Sequence, residues 1–395
     1  MTTEVVLVEG VRTAIGRFGG ALSPLSASDL GAAVIREVLR RTGVSGADVD
    51  EVVLGCVGQI AEDAYIARTA AIKGGVPKEV PAFTVNRLCS SGLQAIVSAS
   101  HAIRLGEAEV VVAGGVESMS NVPYYLRKAR FGYRMGNDTV EDGLITMLSD
   151  PFHRYHMGVT AENVAERWGI DRATQDQVAL RSQQRMAAAM AAGLFKDQIV
   201  PVTVKDRKGE RVVDTDEHPR PDTTLEQLAA LKPAFKEGGT VTAGNASGIN
   251  DGAAAVMVMS AEKARALGLT PKLVLRGAAA SGVEPEYMGI GPVPAVRKVL
   301  QKLGLSLDDI DLIELNEAFA AQAEAVARDL GLDWERVNVN GGAIAHGHPV
   351  GATGAILTVK LMYEMARRRA RYGLVTMCIG GGQGLAAVFE NPAAA

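Results

Sequence analysis

The chain has 395 residues, 47% hydrophobic and 22% charged, with a net charge of −4. That is material for two or three domains around a large core, and the mildly acidic balance gives no reason to expect nucleic acid or a membrane surface as partner. Three cysteines (Cys56, Cys89, Cys378) without Cys-x-x-Cys spacing argue against a disulfide framework or zinc knuckle and for a reducing, cytoplasmic setting.

In chain order, Arg36 to Asp50 reads as an amphipathic helix stopped at Gly43, followed by a strand over Glu51-Val52-Val53-Leu54. Cys89-Ser90-Ser91-Gly92 opens a helix expected from about Ser90 to Leu105, leading to a strand and a glycine pair at Val110 to Gly115. From Met119 to about Asn250 the pattern is richer in Met, charge, Pro and loop signals, with one long polar-faced helix over Arg172 to Ala191. Ala253 to Met259 then reads as a strand returning to the first half.

The chain next repeats itself. Arg297 to Asp311 echoes Arg36 to Asp50 at a constant spacing of 261 residues, with its own glycine stop at Gly304 and its own strand at Leu312 to Leu315. His348-Pro349-Val350-Gly351 opens a second Ala-rich helix, and Leu374 to Met377 with Leu385 to Phe389 reads as a hairpin around Gly380-Gly381-Gly382. The expected fold is α/β: duplicated halves with mixed, helix-covered sheets, in which the alternation of strand and helix patterns by itself predicts mostly parallel neighbours. Residues 1–119 with 250–270 form the first half, 120–249 an inserted domain folded over it, and 271–395 the second half. An insertion of that size is usually functional.

Three positions bear the chemistry. Cys89 at a helix start would have its thiolate favoured by the macrodipole and free amides; a small buried hydrophobe near a cap is the plainer alternative. His348, fixed by Pro349, is suited to activate a thiol or polarise a carbonyl, although a loop histidine is also possible. Cys378 precedes exposed glycine amides able to stabilise an oxyanion, or is simply a hairpin cysteine. Asn316 stands where a buried strand becomes a helix and suits an N-cap. Cys56 has no polar company in sequence and reads as core. No His-Glu-x-x-His pattern points to a metal, and no Walker or strand-anchored Gly-x-Gly-x-x-Gly pattern points to a nucleotide loop.

Asn86-Arg87-Leu88-Cys89-Ser90-Ser91-Gly92, Gly244-Asn245-Ala246-Ser247-Gly248, Asn316-Glu317-Ala318-Phe319, Gly347-His348-Pro349-Val350-Gly351 and Cys378-Ile379-Gly380-Gly381-Gly382 occur in that order. Together they resemble the thiolases, most closely the biosynthetic acetyl-CoA acetyltransferases, over essentially the whole chain. The resemblance implies reversible condensation of two acetyl-CoA to acetoacetyl-CoA and CoA. Cys89 would be the acyl-carrying nucleophile, activated by His348, and Cys378 the acid/base for the α-proton. A water on Asn316 with His348 would form one oxyanion site, and the amides of Cys89 and Gly380 the other. It further implies that the insertion binds coenzyme A, with His156, Met157, Met288 and Phe319 at the acyl pocket, Ser247 at the pantetheine and Arg220 near the adenine and phosphates. CoA is then substrate and product, no cofactor is implied, and the assembly would be a homotetramer, a dimer of dimers, with Arg127, Lys128 and Arg130 near a partner's CoA. A degradative 3-ketoacyl-CoA thiolase acting on longer chains is the alternative; a ketoacyl synthase or a silent CoA- or lipid-binding relative fits the intact Cys89, His348, Asn316 and Cys378 less well.

Overall fold

The computed structural model describes residues 3–206 and 209–394. Its first half runs β1 (Val5–Thr13), β2 (Gly16–Arg17), α1 (Ala27–Thr42), β3 (Glu51–Gly55), α2 (Ile66–Lys73), β4 (Ala82–Val85), α3 (Ser91–Leu105) and β5 (Val110–Ser118). The insertion carries β6 (Tyr124–Tyr125), β7 (Glu141–Asp142), α4 (Gly143–Met147), α5 (Met157–Trp168), α6 (Arg172–Ala191), β8 (Ile199–Val200), β9 (Val202–Asp206), β10 (Gly209–Val213) and α7 (Leu225–Ala229). The chain returns as β11 (Asn250–Ser260) and α8 (Ala261–Ala266). The second half is β12 (Leu273–Gly282), α9 (Pro292–Leu303), β13 (Leu312–Leu315), α10 (Ala320–Leu330), α11 (Ala343–His346), α12 (Thr353–Arg368), β14 (Tyr372–Ile379) and β15 (Gln383–Glu390).

The duplication appears in the sheet. One mixed sheet has the order β13-β14-β15-β12-β1-β11-β5-β3-β4, with β2 beside β11 and β8 beside β1. β3 runs parallel to β5 as β13 does to β14, while β11 is antiparallel to β5 and β1 as β15 is to β14 and β12. The halves meet along a short seam, Val6 opposite Val274 and Leu7 opposite Leu273. The repeated helices α1 and α9 both stop at a left-handed glycine, Gly43 at φ 68° and Gly304 at φ 66°, a conformation that costs a side chain but not glycine.

Two expectations are corrected. The sheet is not mostly parallel: β15 follows β14 through a tight hairpin and β11 comes back from the insertion, and neither route is the helical crossover that parallel neighbours need. Nor does the insertion fold over the first half alone. Its helices pack mainly on the second: Ser182 of α6 donates to Glu317 at 2.6 Å, Arg185 donates to the Trp334 and Val337 carbonyls, and Asn163 of α5 donates to the Glu286 carbonyl. The Ala-rich face of α10 (Ala320, Ala321, Ala323, Ala325) gives these helices a flat surface to approach. The first half is held as well: β8 pairs with β1, Arg12 makes a buried ion pair with Asp216 and donates to Gln198, both at 2.8 Å, and Phe195, Ile199, Val204 and Val213 join the core beneath α1.

α3 and α12 lie side by side in the middle, and strands of both halves pack against the pair through Leu93, Ile96, Ile356, Val359 and Met362. α1 and α2 cover the other side of the first half and α9 that of the second. Among the described residues no helix is long and apolar enough to cross a membrane.

Candidate active site

Glycines let α3 and α12 meet at their N-termini. A Cβ on Gly92 would lie 2.8 Å from the Ala355 nitrogen, one on Gly354 2.4 Å from the Leu93 nitrogen, and one on Gly115 2.2 Å from the Gly351 oxygen. The residues just ahead of these helices, Cys89 and His348, are thereby carried to one place. Cys89 stands within one residue of the helix start the sequence suggests, whereas His348 lies further from its own. Cys89 precedes the cap residue Ser90, and α12 begins only at Thr353, because residues after Pro349 first form a tight turn.

Leu88, beside the thiol, has φ 43°, a conformation rare for a branched residue. The Asn86 carboxamide accepts the Leu88 amide at 3.0 Å, and Ser91 accepts the Arg87 amide at 2.9 Å while donating to the Leu88 carbonyl at 2.7 Å. These bonds hold the turn that presents Cys89, which keeps some solvent contact yet is walled by protein. Loss of hydration pushes its thiol up to about 11, against the opposing pull of the Gly380 amide. Burial thus opposes the dipole-stabilised thiolate expected from the sequence. Cys378 is fully buried; burial and then the proximity of Cys89 raise its pKa well above the usual thiol range.

His348 is buried, which lowers its pKa to about 4 and keeps the ring neutral near pH 7. Its tautomer follows from Thr353. That hydroxyl donates to the Pro349 carbonyl at 2.8 Å, so it can only accept from His348 Nδ1–H, 2.7 Å away. Nε2 is left with its lone pair, and the Asn316 amide approaches it at 3.5 Å. Asn316 is no N-cap: α10 begins at Ala320 with Phe319 as its cap residue, and Asn316 Oδ1 is buried without a hydrogen-bond partner among the described residues. That carbonyl suits a water or a substrate donor.

Met157, Met288, Phe319 and Cys378 share one apolar cluster, and Gly380 is small because a Cβ there would lie 2.7 Å from Met157 Cε. His156 caps α5 by accepting the Gly158 amide, and its ring stacks on Phe235 at 4.7 Å, which in turn meets Phe319 edge-on. Ser247 donates its amide to the Ala318 carbonyl at 2.9 Å and so borders this pocket. Arg220 does not join it: the residue is exposed and its backbone amide donates to Gln183 on α6. Arg127 and Lys128 pair with Glu141 and Asp138.

Three residues escaped the sequence reading. Thr353 sets the tautomer, Asn250 accepts the His348 amide at 2.9 Å, and Glu117 is a fully buried carboxylate behind both loops. Only the last carried a signal, a lone acid closing an apolar strand pattern. Cys56, read as core without polar company, in fact lies 3.5 Å from Glu117 and donates to it.

Residues 5–262 match the family model described as thiolase, N-terminal domain, and residues 269–391 that of thiolase, C-terminal domain. The chain is 57% identical to the beta-ketothiolase BktB of Cupriavidus necator over 99% of this chain and all of that protein. It is 55% identical to an acetyl-CoA acetyltransferase of Pseudomonas aeruginosa, covering 97% and 98% of the two. The crystal structure of the Bacillus anthracis acetyl-CoA acetyltransferase superposes with a TM-score of 0.98 at 50% identity over 99% of each chain. Human mitochondrial 3-ketoacyl-CoA thiolase in complex with CoA gives 0.94 at 46% over 98% of each.

Proposed function

The chain belongs to the thiolase family and is an acyltransferase, and on that premise we propose that it catalyses the reversible condensation of two acetyl-CoA to acetoacetyl-CoA and CoA. The observation that carries the mechanism is an imidazole whose base nitrogen is fixed by Thr353, carried to the same place as two cysteines in desolvated settings.

In this reading the Cys89 proton passes to His348 Nε2 as sulfur attacks the thioester carbonyl. The carbon–sulfur bond to CoA breaks, and the departing CoA thiolate takes the Cys378 proton. Cys378 cannot begin as a base, since burial keeps it protonated; losing its proton here makes it one. Its thiolate then removes an α-proton from the second acetyl-CoA, and the resulting carbanion attacks the acyl group on Cys89. Cys89 leaves and recovers its proton from His348. The amides of Cys89 and Gly380 serve one oxyanion, and Asn316 with protonated His348 the other. Protons and charge balance without a metal or prosthetic group, CoA being substrate and product.

The walls Met157, Met288 and Phe319, closed by the His156–Phe235 stack, favour a short acyl group. A longer 3-ketoacyl substrate has one observation in its favour: the fold is shared at a TM-score of 0.94 and 46% identity with a protein named 3-ketoacyl-CoA thiolase. Thiolysis by CoA of acetoacetyl-CoA against longer 3-ketoacyl-CoA esters separates them. We expect kcat/KM to fall with chain length, and a rise with length would sink the short-chain reading. We place the protein in the cytoplasm, in keeping with its free thiols, which fractionation checks. We place it in a homotetramer whose contacts cover exposed Tyr124, Leu126, Phe131 and Met135; a monomeric mass by light scattering would overturn that.

A further inference from the structure

Glu117, at the end of β5, is wholly buried with no cation among its described partners. Burial raises its pKa, and four donors oppose that shift by holding the carboxylate form. Oε2 accepts the Gly351 amide at 2.7 Å and the Val57 amide at 3.0 Å; Oε1 accepts the Gly58 amide at 2.8 Å and faces the Cys56 thiol at 3.5 Å. One anion thus joins two loops of opposite halves, residues 56–58 after β3 and the turn after His348. Both loops reach the nucleophile's surroundings: Val57 and Val350 share with Cys89 one apolar cluster. The join is tight, because a Cβ on Gly351 would lie 2.6 Å from Oε2 and one on Gly58 3.0 Å from Oε1.

A second chain of bonds runs from that turn to the imidazole. The Pro349 carbonyl accepts the Thr353 hydroxyl, which accepts His348 Nδ1–H, while Asn250 holds the His348 amide. Moving Gly351 would therefore move His348 relative to Cys89. A buried carboxylate is an expensive way to fill space, and an apolar residue would serve a purely structural purpose better.

Resting on the assignment of Cys89 as nucleophile, we propose that Glu117 is a positioning residue for acyl transfer: its carboxylate clamps the 56–58 and 349–351 loops so that His348 stays within reach of the Cys89 thiol. It touches no substrate. Its charge has a second consequence, since a nearby carboxylate opposes thiolate formation at Cys89 and leaves proton removal to His348.

The test follows acetylation of Cys89 by acetyl-CoA in single turnover, read by intact and peptide mass, and the pH dependence of Cys89 alkylation by iodoacetamide. Glu117→Gln keeps the shape, removes the charge and points an N–H2 at amide donors. Glu117→Asp keeps the charge but stops a methylene short. We expect both to slow acetylation on the order of 10²-fold with little change in KM, as a displacement of about 1 Å does. The alkylation midpoint should move to lower pH in Glu117→Gln and stay in place in Glu117→Asp, a split that loss of packing alone does not produce. If Glu117→Gln fails to fold, the rate of Glu117→Asp decides. Variants acetylated at the parental rate overturn the proposal alone; a parent that never carries acetyl on Cys89 overturns the nucleophile assignment and this proposal with it.

Discussion

The Thr353 hydroxyl has one proton, directed to the Pro349 carbonyl, so the choice of base nitrogen on His348 is made by a residue that meets no substrate. Thr353→Val keeps the volume but removes the acceptor, freeing the ring to take its other tautomer. The expected result is a fall in kcat of about 10- to 100-fold with KM nearly unchanged, checked by steady-state thiolysis. An unchanged kcat would mean that Asn316 alone fixes the ring. Cys89, His348, Asn316 and Cys378 were legible as residue types in their motifs. The protonation of Cys89 was not, because it depends on apolar side chains from distant segments, Val57, Leu144 and Val350 among them. Thr353 was hidden for a similar reason: a threonine at a helix start looks like a cap until its partners are seen.

At the scale of elements, the encounter of α3 and α12 rests on absent side chains. Gly354→Ala would place a methyl 2.4 Å from the Leu93 nitrogen, a backbone atom that cannot swing aside. The helices must separate, at about 1–3 kcal/mol, and Cys89 must draw away from His348. We expect a lowered thermal midpoint together with acetylation of Cys89 slowed on the order of 10²-fold; a variant with a lowered midpoint but the parental acetylation rate would show the spacing to be unimportant. Helices were the most legible elements: Arg172–Ala191 is found where its pattern placed it, and the α1 and α9 stops fall on Gly43 and Gly304. Strand direction was not legible, since an apolar run such as Ala253 to Met259 reads alike whichever way its neighbours run.

For the molecule as a whole, the two halves and the insertion converge on buried imidazoles. His346 is the extreme case: it is 1% exposed, and among the described residues neither ring nitrogen has a well-formed hydrogen bond, although the Gly347 backbone lies near enough to favour the charged ring slightly. Burial and then nearby Lys360 and Arg12 hold its pKa well below 6.5. The unfolded chain thus binds the proton more readily, so the neutral ring's contribution is complete above about pH 6.5 and is lost as pH falls below that. His346→Leu, similar in volume and without polar atoms, should raise stability by about 1–3 kcal/mol at pH 7. It should also flatten the acid limb of the profile relative to the parent. Urea midpoints at pH 7, 6 and 5 read both, and a midpoint difference that does not widen towards acid pH would contradict the assignment. The duplication itself was legible from the 261-residue echo, but not the insertion's hold on the second half, because contacts such as Ser182 with Glu317 leave no local pattern.

The place of β11 in the sheet has a consequence for how the protein is made. It lies between β1 and β5, so the first half has a gap at its centre until residues 250–260 exist. On a ribosome the whole insertion emerges between β5 and the strand that completes the core beneath it, a wait on the order of ten seconds. During that interval the edges of β1 and β5 are unpaired, and α3 with its reactive cysteine has no finished sheet to rest on. Newly made first halves are therefore a natural client for chaperones, and a chain stalled before residue 250 should be degraded rather than stored as a folded fragment.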